Sequence, residues 1–216
     1  MIYLYCERSG PGLWSEPLNA ATNVLFLLAA LICAWRARRR RQVDSEILAA
    51  ILGSIGIGSG LFHLFATRWA LWLDVLPILA FEFTYLGLYL GRVAGLSPAR
   101  VTVTLVLFAA SIALAGMEPA LFNGSLGYVP AWLALAWLGW DYRRRTGNRL
   151  LLAMVALFGL SLALRTVDLL VCPVWRWGTH WAWHALNAVV LGGALEAYMR
   201  CRAQPPSAPL RASARV

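Results

Sequence analysis

Long apolar runs alternate with short polar breaks along this chain. Seven of them dominate the pattern, at about 18–35, 46–64, 70–91, 101–117, 127–141, 149–171 and 180–200. A helix needs roughly 17–25 mostly apolar residues to cross the hydrocarbon core of a bilayer. The runs meet or approach that length, and they lack the polar face that a helix of a soluble bundle keeps towards water. Turn and charge signals fill the breaks: arginines at 36 and 38–41, Gly-Leu-Ser-Pro at 95–98, and Pro-Val-Trp-Arg-Trp-Gly at 173–178. Gly-Ser-Leu-Gly at 124–127 and Pro130 blur the boundary between the fourth and fifth runs. The pattern predicts an all-α polytopic membrane protein, a seven-transmembrane-helix bundle over residues 1–202. A Pro/Ala/Ser/Arg tail of disordered composition is expected at 203–216.

Composition agrees with that reading: 60% of residues are hydrophobic and 13% charged, and the mean hydropathy is +0.64. The chain has no lysine, so its arginines set the orientation. Fifteen of nineteen fall in alternate connections, after the first, third, fifth and seventh runs. Basic residues collect on the cytoplasmic side, which places the N-terminus outside and the C-terminus in the cytoplasm. The net charge of +9 then reads as topology and contact with anionic lipid heads, not as a nucleic-acid surface. Residues 1–17 carry Glu7 and Glu16 and no basic stretch, unlike a cleaved signal peptide.

With this topology the residues able to do chemistry gather at the outer end. His63 closes the second run, Asp74 opens the third, and His180 and His184 occupy the first turns of the seventh. Histidines at i and i+4 share a helix face, and a third from a distant helix completes a common zinc arrangement that leaves a fourth position open. Asp74 sits just inside a span, where a carboxylate is costly and faces the bundle interior with a partner or a task. It could orient the attacking water and accept its proton; the competing reading is a cap on the third helix. Ser59 lies one turn before His63 and could donate to an oxyanion. It reads equally as part of the small-residue run Gly53, Ser54, Gly56, Gly58, Gly60, which lets helices pack closely. Arg165 and Asp168, three apart, are expected to neutralise each other or a neighbour. Glu82 and Glu196 read as structural groups or as the lining of a polar cavity. Trp183, between the two histidines, is placed to wall a pocket. Cys6 and Cys172 both fall outside, where a bridge between them would persist.

Taken in order, these residues resemble the alkaline ceramidase family, part of a superfamily of seven-helix membrane hydrolases and receptors related to adiponectin and progestin receptors. The likeness rests on Cys6-Glu7, Glu16 and Asn19, Ser59 with Phe62-His63, and Asp74 with Leu76-Pro77. It continues with Asp168 and Cys172, and with His180, Trp183 and His184. The resemblance implies zinc held by His63, His180 and His184, with Asp74 handling the proton of the attacking water and Ser59 supporting the oxyanion. It also implies a Cys6–Cys172 disulfide. Its activity would be hydrolysis of the amide of a membrane lipid, ceramide or a related N-acyl sphingoid, to fatty acid and amino alcohol. The family's calcium site would fall on Glu7, Glu16 and Asn19, but Leu4 and Ser9 stand where oxygen ligands are usual, so calcium is expected to bind weakly or not at all. Arg165 stands where an aromatic residue is usual. Two other readings remain at this point: a lipid-binding receptor with a structural zinc, and an ion-coupled transporter built on Glu82, Arg165, Asp168 and Glu196. The pattern specifies no oligomeric state.

Overall fold

The computed structural model of the chain describes residues 1–118 and 121–203. Apart from Ala203, the expected tail lies outside the described residues. Among these the fold is helical, with no strand. Helices α1 (Pro17–Thr22) and α2 (Val24–Arg39) run on through Asn23. Then come α3 (Val43–Phe65), α4 (Arg68–Leu88) with a π-helical turn at Tyr89–Val93, and α5 (Pro98–Ala115). A 3-10 segment, Leu121–Tyr128, leads into α6 (Val129–Thr146), followed by α7 (Leu150–Val171) and α8 (His180–Ala203).

Among the described residues six spans are long and apolar enough to cross a membrane: Pro17–Arg39, Val43–Phe65, Arg68–Val93, Pro98–Ala115, Leu121–Thr146 and Leu150–Val171. The chain is therefore a multi-pass membrane protein. Helix α8 is of similar length, 24 residues or about 36 Å at 1.5 Å per residue, but less apolar. Its position explains the difference. Half of its residues are buried, among them His180, His184, Asn187 and Glu196, and it packs against α2, α3 and α7. A helix shielded by its neighbours can carry polar groups that a lipid-facing helix cannot. Helix α5 is the opposite case: Phe108 is its one buried residue, and Val103, Val106, Leu107 and Leu114 are exposed.

Two tight turns bring the polar residues to one end. Ala66, in the left-handed conformation (φ 47°), ends α3, and its N–H donates to Phe62 O at 2.8 Å. Gly178 (φ 60°) sits in the turn before α8, where a side chain would overlap the Asp168 carboxylate and meet Cys6 Cβ at 2.6 Å. The N-terminal segment crosses this end, its Ile2 N–H donating to Ala66 O at 2.8 Å. At the other end Glu196 accepts from Arg36 at 3.4 Å, Arg40 at 3.0 Å and Arg200 at 2.8 Å. That fully occupied carboxylate belongs to the scaffold.

The small-residue run on α3 lets α4 approach closely. A Cβ at Gly58 would overlap the Leu73 carbonyl and lie 3.3 Å from Asp74 N, so Gly58 sets the backbone distance at the level of Asp74. Overpacking of this kind typically costs about 1–3 kcal/mol. Gly58→Ala should lower the thermal unfolding midpoint in detergent, whereas Gly91→Ala, with nothing within 4 Å of the added carbon, should barely move it. Equal midpoints for the two variants would mean that the α3–α4 contact is looser than described.

Candidate metal centre

The N-terminal segment is fastened over the polar end before any side chain chemistry is considered. Cys6 and Cys172 form a disulfide, with Cα atoms 5.5 Å apart. Asp168 accepts backbone N–H groups from Cys6 (2.9 Å), Thr179 (2.7 Å) and His180 (2.9 Å). Two of these belong to the start of α8, where a negative charge is favoured by the helix dipole. Of the two arrangements expected for Arg165 and Asp168, the direct pair is not the one the structure has: Asp168 is met by neighbouring segments. Spacing of three on one helix permits such a pair, but unbonded N–H groups from other segments claim the carboxylate instead.

Inside this frame His63, His180 and His184 are buried, and a potential ligand atom on each lies within 4.8 Å of the others. The proton positions follow from their partners. His63 Nδ1–H donates to Glu16 Oε2 at 2.6 Å. The Thr22 hydroxyl donates to Leu18 O at 2.8 Å, so it accepts from His184 Nδ1 at 3.0 Å. With both Nδ1 atoms protonated, each neutral imidazole keeps its lone pair on Nε2. Those two Nε2 atoms face each other at 3.2 Å with no proton between them. Zinc–nitrogen bonds of about 2.0–2.1 Å in a tetrahedron separate the nitrogens by about 3.3 Å. His180 Nδ1 is buried and has no partner. The residues fit a metal ion.

Glu16 and Thr22 supply the outer contacts that fix ligand tautomers in metal sites. Neither was assigned that role from sequence, and Tyr5 and Arg8 were not singled out. Tyr5 stacks on His180 with ring centroids 3.5 Å apart and 15° between planes; burial raises its pKa, with Arg165 opposing. Arg8 has a fully buried side chain. It donates from Nε to Glu16 Oε1 and from its other nitrogens to His63 O at 2.7 Å and Gly10 O at 3.3 Å. Burial pushes the Glu16 carboxyl upward, but hydrogen bonds from His63, Asn19 and Arg8 outweigh it and hold the pKa below the usual glutamate value.

The same contacts decide the calcium question. Both oxygens of Glu7 accept backbone N–H groups at the start of α1, from Leu18 at 2.7 Å and Asn19 at 2.8 Å. Burial raises the Glu7 pKa and these bonds counter the rise. Glu16 is taken by Arg8, His63 and Asn19 Nδ2, the last at 3.0 Å. Calcium needs six to eight oxygen ligands; here the Glu7 and Glu16 oxygens accept N–H groups and a guanidinium stands beside Glu16, which leaves the buried Asn19 Oδ1 as the one side-chain oxygen of the three residues without a partner. The N-terminal residues do not fit calcium.

Ser59 and Asp74 are both buried, at 4% and 8% exposure. They face each other across the α3–α4 contact, within the electrostatic reach of His63 and Arg165. Trp183 has its ring 6.5 Å from His180 and nearly parallel to it. It also lines an apolar cavity of about 90 Å³, together with Phe81, Glu82, Tyr85, Tyr128 and Asn187 among others. Removing the carboxylate behind His63 tests the geometry. Glu16→Gln should weaken zinc affinity about 10–100-fold, the usual cost of losing an outer contact to a ligand, as measured against a competing chromophoric chelator. Unchanged affinity would mean that Glu16 does not orient His63.

The sequence model of the Ceramidase family matches residues 11–199, a stretch that includes Glu16, Ser59, His63, Asp74, Asp168, His180 and His184. No curated protein matches the chain. The match covers most of the sequence, every helix from α1 to α7 and nearly all of α8. On that ground, this multi-pass membrane protein belongs to the ceramidase family, and its activity is that of a lipid amide hydrolase.

Proposed function

We propose that the chain is a zinc-dependent amidohydrolase acting on ceramide or a related N-acyl sphingoid, releasing a fatty acid and an amino alcohol. The observation that carries the zinc reading is the buried cluster of His63, His180 and His184, with a potential ligand atom on each within 4.8 Å of the others and the Nε2 atoms of His63 and His184 3.2 Å apart. When bound, zinc polarises a carbonyl and brings water within reach of deprotonation near pH 7. His63, His180 and His184 would hold it, with Glu16 and Thr22 keeping the first and last of them in the ligating tautomer.

The remaining work falls to the chain's own residues. Asp74, held beside Ser59, takes the proton of the attacking water at a carboxylate oxygen and returns it to the leaving amine. The Ser59 hydroxyl donates to the carbonyl oxygen as negative charge develops there. Trp183 and Tyr128 separate the reacting amide from the apolar cavity, which receives part of an acyl chain arriving sideways from the bilayer. Tyr5 and the disulfide-tethered N-terminal segment close the site from above against bulk water. In this reading α8 is the seventh span, the N-terminus lies outside and the site faces the outer leaflet, in line with the arginine distribution. A receptor with a structural zinc would have no use for Asp74 opposite Ser59.

Asp74→Asn keeps the side-chain volume and removes the proton acceptor. Hydrolysis per zinc-loaded molecule should fall about 10²–10⁴-fold, the range for general acid–base groups, with zinc content and unfolding midpoint unchanged. A normal rate would remove Asp74 from the mechanism. Because Arg8, His63 and Asn19 take the Glu16 oxygens and backbone N–H groups take those of Glu7, the zinc-loaded protein should hydrolyse its substrate at the same rate with and without added calcium. Activation by micromolar calcium would contradict this.

A further inference from the structure

Among the described residues two arginines are buried, Arg8 and Arg165, and their surroundings differ. Arg8 is paired with Glu16. Arg165, 8% exposed, has no carboxylate within salt-bridge distance among the described residues. Its Nη1 donates to Asn123 O and, at 3.2 Å, to Ser125 Oγ, while its backbone O accepts from Asn123 Nδ2 at 3.1 Å. The segment that makes these bonds holds two non-glycine residues in the left-handed region, Phe122 (φ 53°) and Asn123 (φ 55°). The guanidinium carbon lies 5.2 Å from the Tyr128 ring and 5.7 Å from the Trp183 ring. Its Nε is buried with no acceptor.

This group stands at the boundary between the histidines and the cavity. Tyr128 and Trp183 line the cavity, and Trp183 also lies against His180. The charge of Arg165 acts on Asp74, His180 and His184. Neutral carbonyl, hydroxyl and aromatic partners fix its position without cancelling its charge. A buried guanidinium cannot shed its proton, and a buried charge is normally paired. Its planar fork matches carboxylate and other oxyanions.

We propose that Arg165 recognises an anionic oxygen group borne by the substrate close to the scissile amide. The preferred substrates are then acidic N-acyl lipids, in which a carboxylate or sulfonate sits within a few bonds of the amide nitrogen. The inference rests on the amidohydrolase reading and, within it, sets acidic N-acyl lipids ahead of neutral ceramide. The ligand's anion completes the charge balance that the protein leaves open, with Nε as the free donor. Asp74 does not serve as the permanent partner, because its carboxylate is the proton acceptor.

The test uses the full-length zinc-loaded protein in nanodiscs of neutral lipid. Its probes are three amides of equal chain length: N-palmitoylglycine, N-palmitoyltaurine and neutral N-palmitoylethanolamine. Wild type should favour at least one acidic amide over the neutral one by about 30-fold or more in kcat/KM, the lower end for losing one member of a buried charge pair. The glycine and taurine arms distinguish carboxylate from sulfonate. Arg165→Met should erase the preference by lowering the acidic rates alone, and Arg165→Lys should restore part of it. A wild-type preference for the ethanolamide overturns the proposal and leaves the hydrolase reading intact, whether or not the variants fold. An equal loss on all three amides in Arg165→Met also overturns it, because Arg165 would then act on the reacting amide itself. If neither these amides nor ceramide is hydrolysed, the hydrolase reading fails separately. Equilibrium binding of N-palmitoylglycine against the ethanolamide then decides: Arg165-dependent preference upholds the proposal, and equal affinity ends it.

Discussion

The Asp168 carboxylate, with its three backbone N–H donors, is the junction on which the polar end depends. It joins the end of α7 to the N-terminal segment through Cys6, and to the start of α8 through Thr179 and His180. Backbone N–H groups left unbonded in a low-dielectric setting cost several kcal/mol each, so a single carboxylate satisfying three of them constrains all three segments together. The register of α8 follows, and with it the depth of His180 and His184. The covalent bridge at Cys6–Cys172 lies beside this junction and limits the same segments.

From that junction the site is built by contacts between parts distant in sequence. Glu16 reaches back to His63, Thr22 reaches across to His184, and Arg8 ties Glu16 to the carbonyl of His63. The first helix and its N-terminal Glu16 thus contribute no histidine to the cluster but fix the orientation of two of its members. Gly58 makes the complementary contribution on the other side, since its missing side chain lets the α4 backbone bring Asp74 to Ser59.

Much of this was legible in the sequence because a membrane simplifies the reading. Apolar run length marks helices, arginine placement orders their ends, and polar residues inside runs are few enough to stand out. That is how His63, Ser59, Asp74, His180 and His184 could be gathered at one end from topology alone, and how Cys6 and Cys172 could be paired. The run at 180–200 was read as one more apolar span, yet α8 is the least lipid-like of the long helices because its neighbours cover it. The roles of Tyr5, Arg8, Glu16 and Thr22 were not legible: each acts through a partner between 8 and 175 residues away in the chain or through a ring stack, which no local spacing records. Arg165 and Asp168 show the limit of spacing, which allowed a mutual pair or a neighbouring partner and could not tell that backbone donors of other segments claim Asp168.

The distribution of the centre along the chain also fixes an order of assembly. Glu16, Thr22 and His63 leave the ribosome early, but His180 and His184 lie in the last helix, and the partner of Cys6 precedes that helix by only a few residues. Until α8 has entered the bundle, His63 has no second imidazole opposite it and Arg8 and Glu16 have no completed site to enclose. Assembly of the three-histidine cluster and closure of the N-terminal segment are therefore terminal events of biogenesis, and a nascent chain stalled before residue 180 holds an inserted bundle that lacks that cluster.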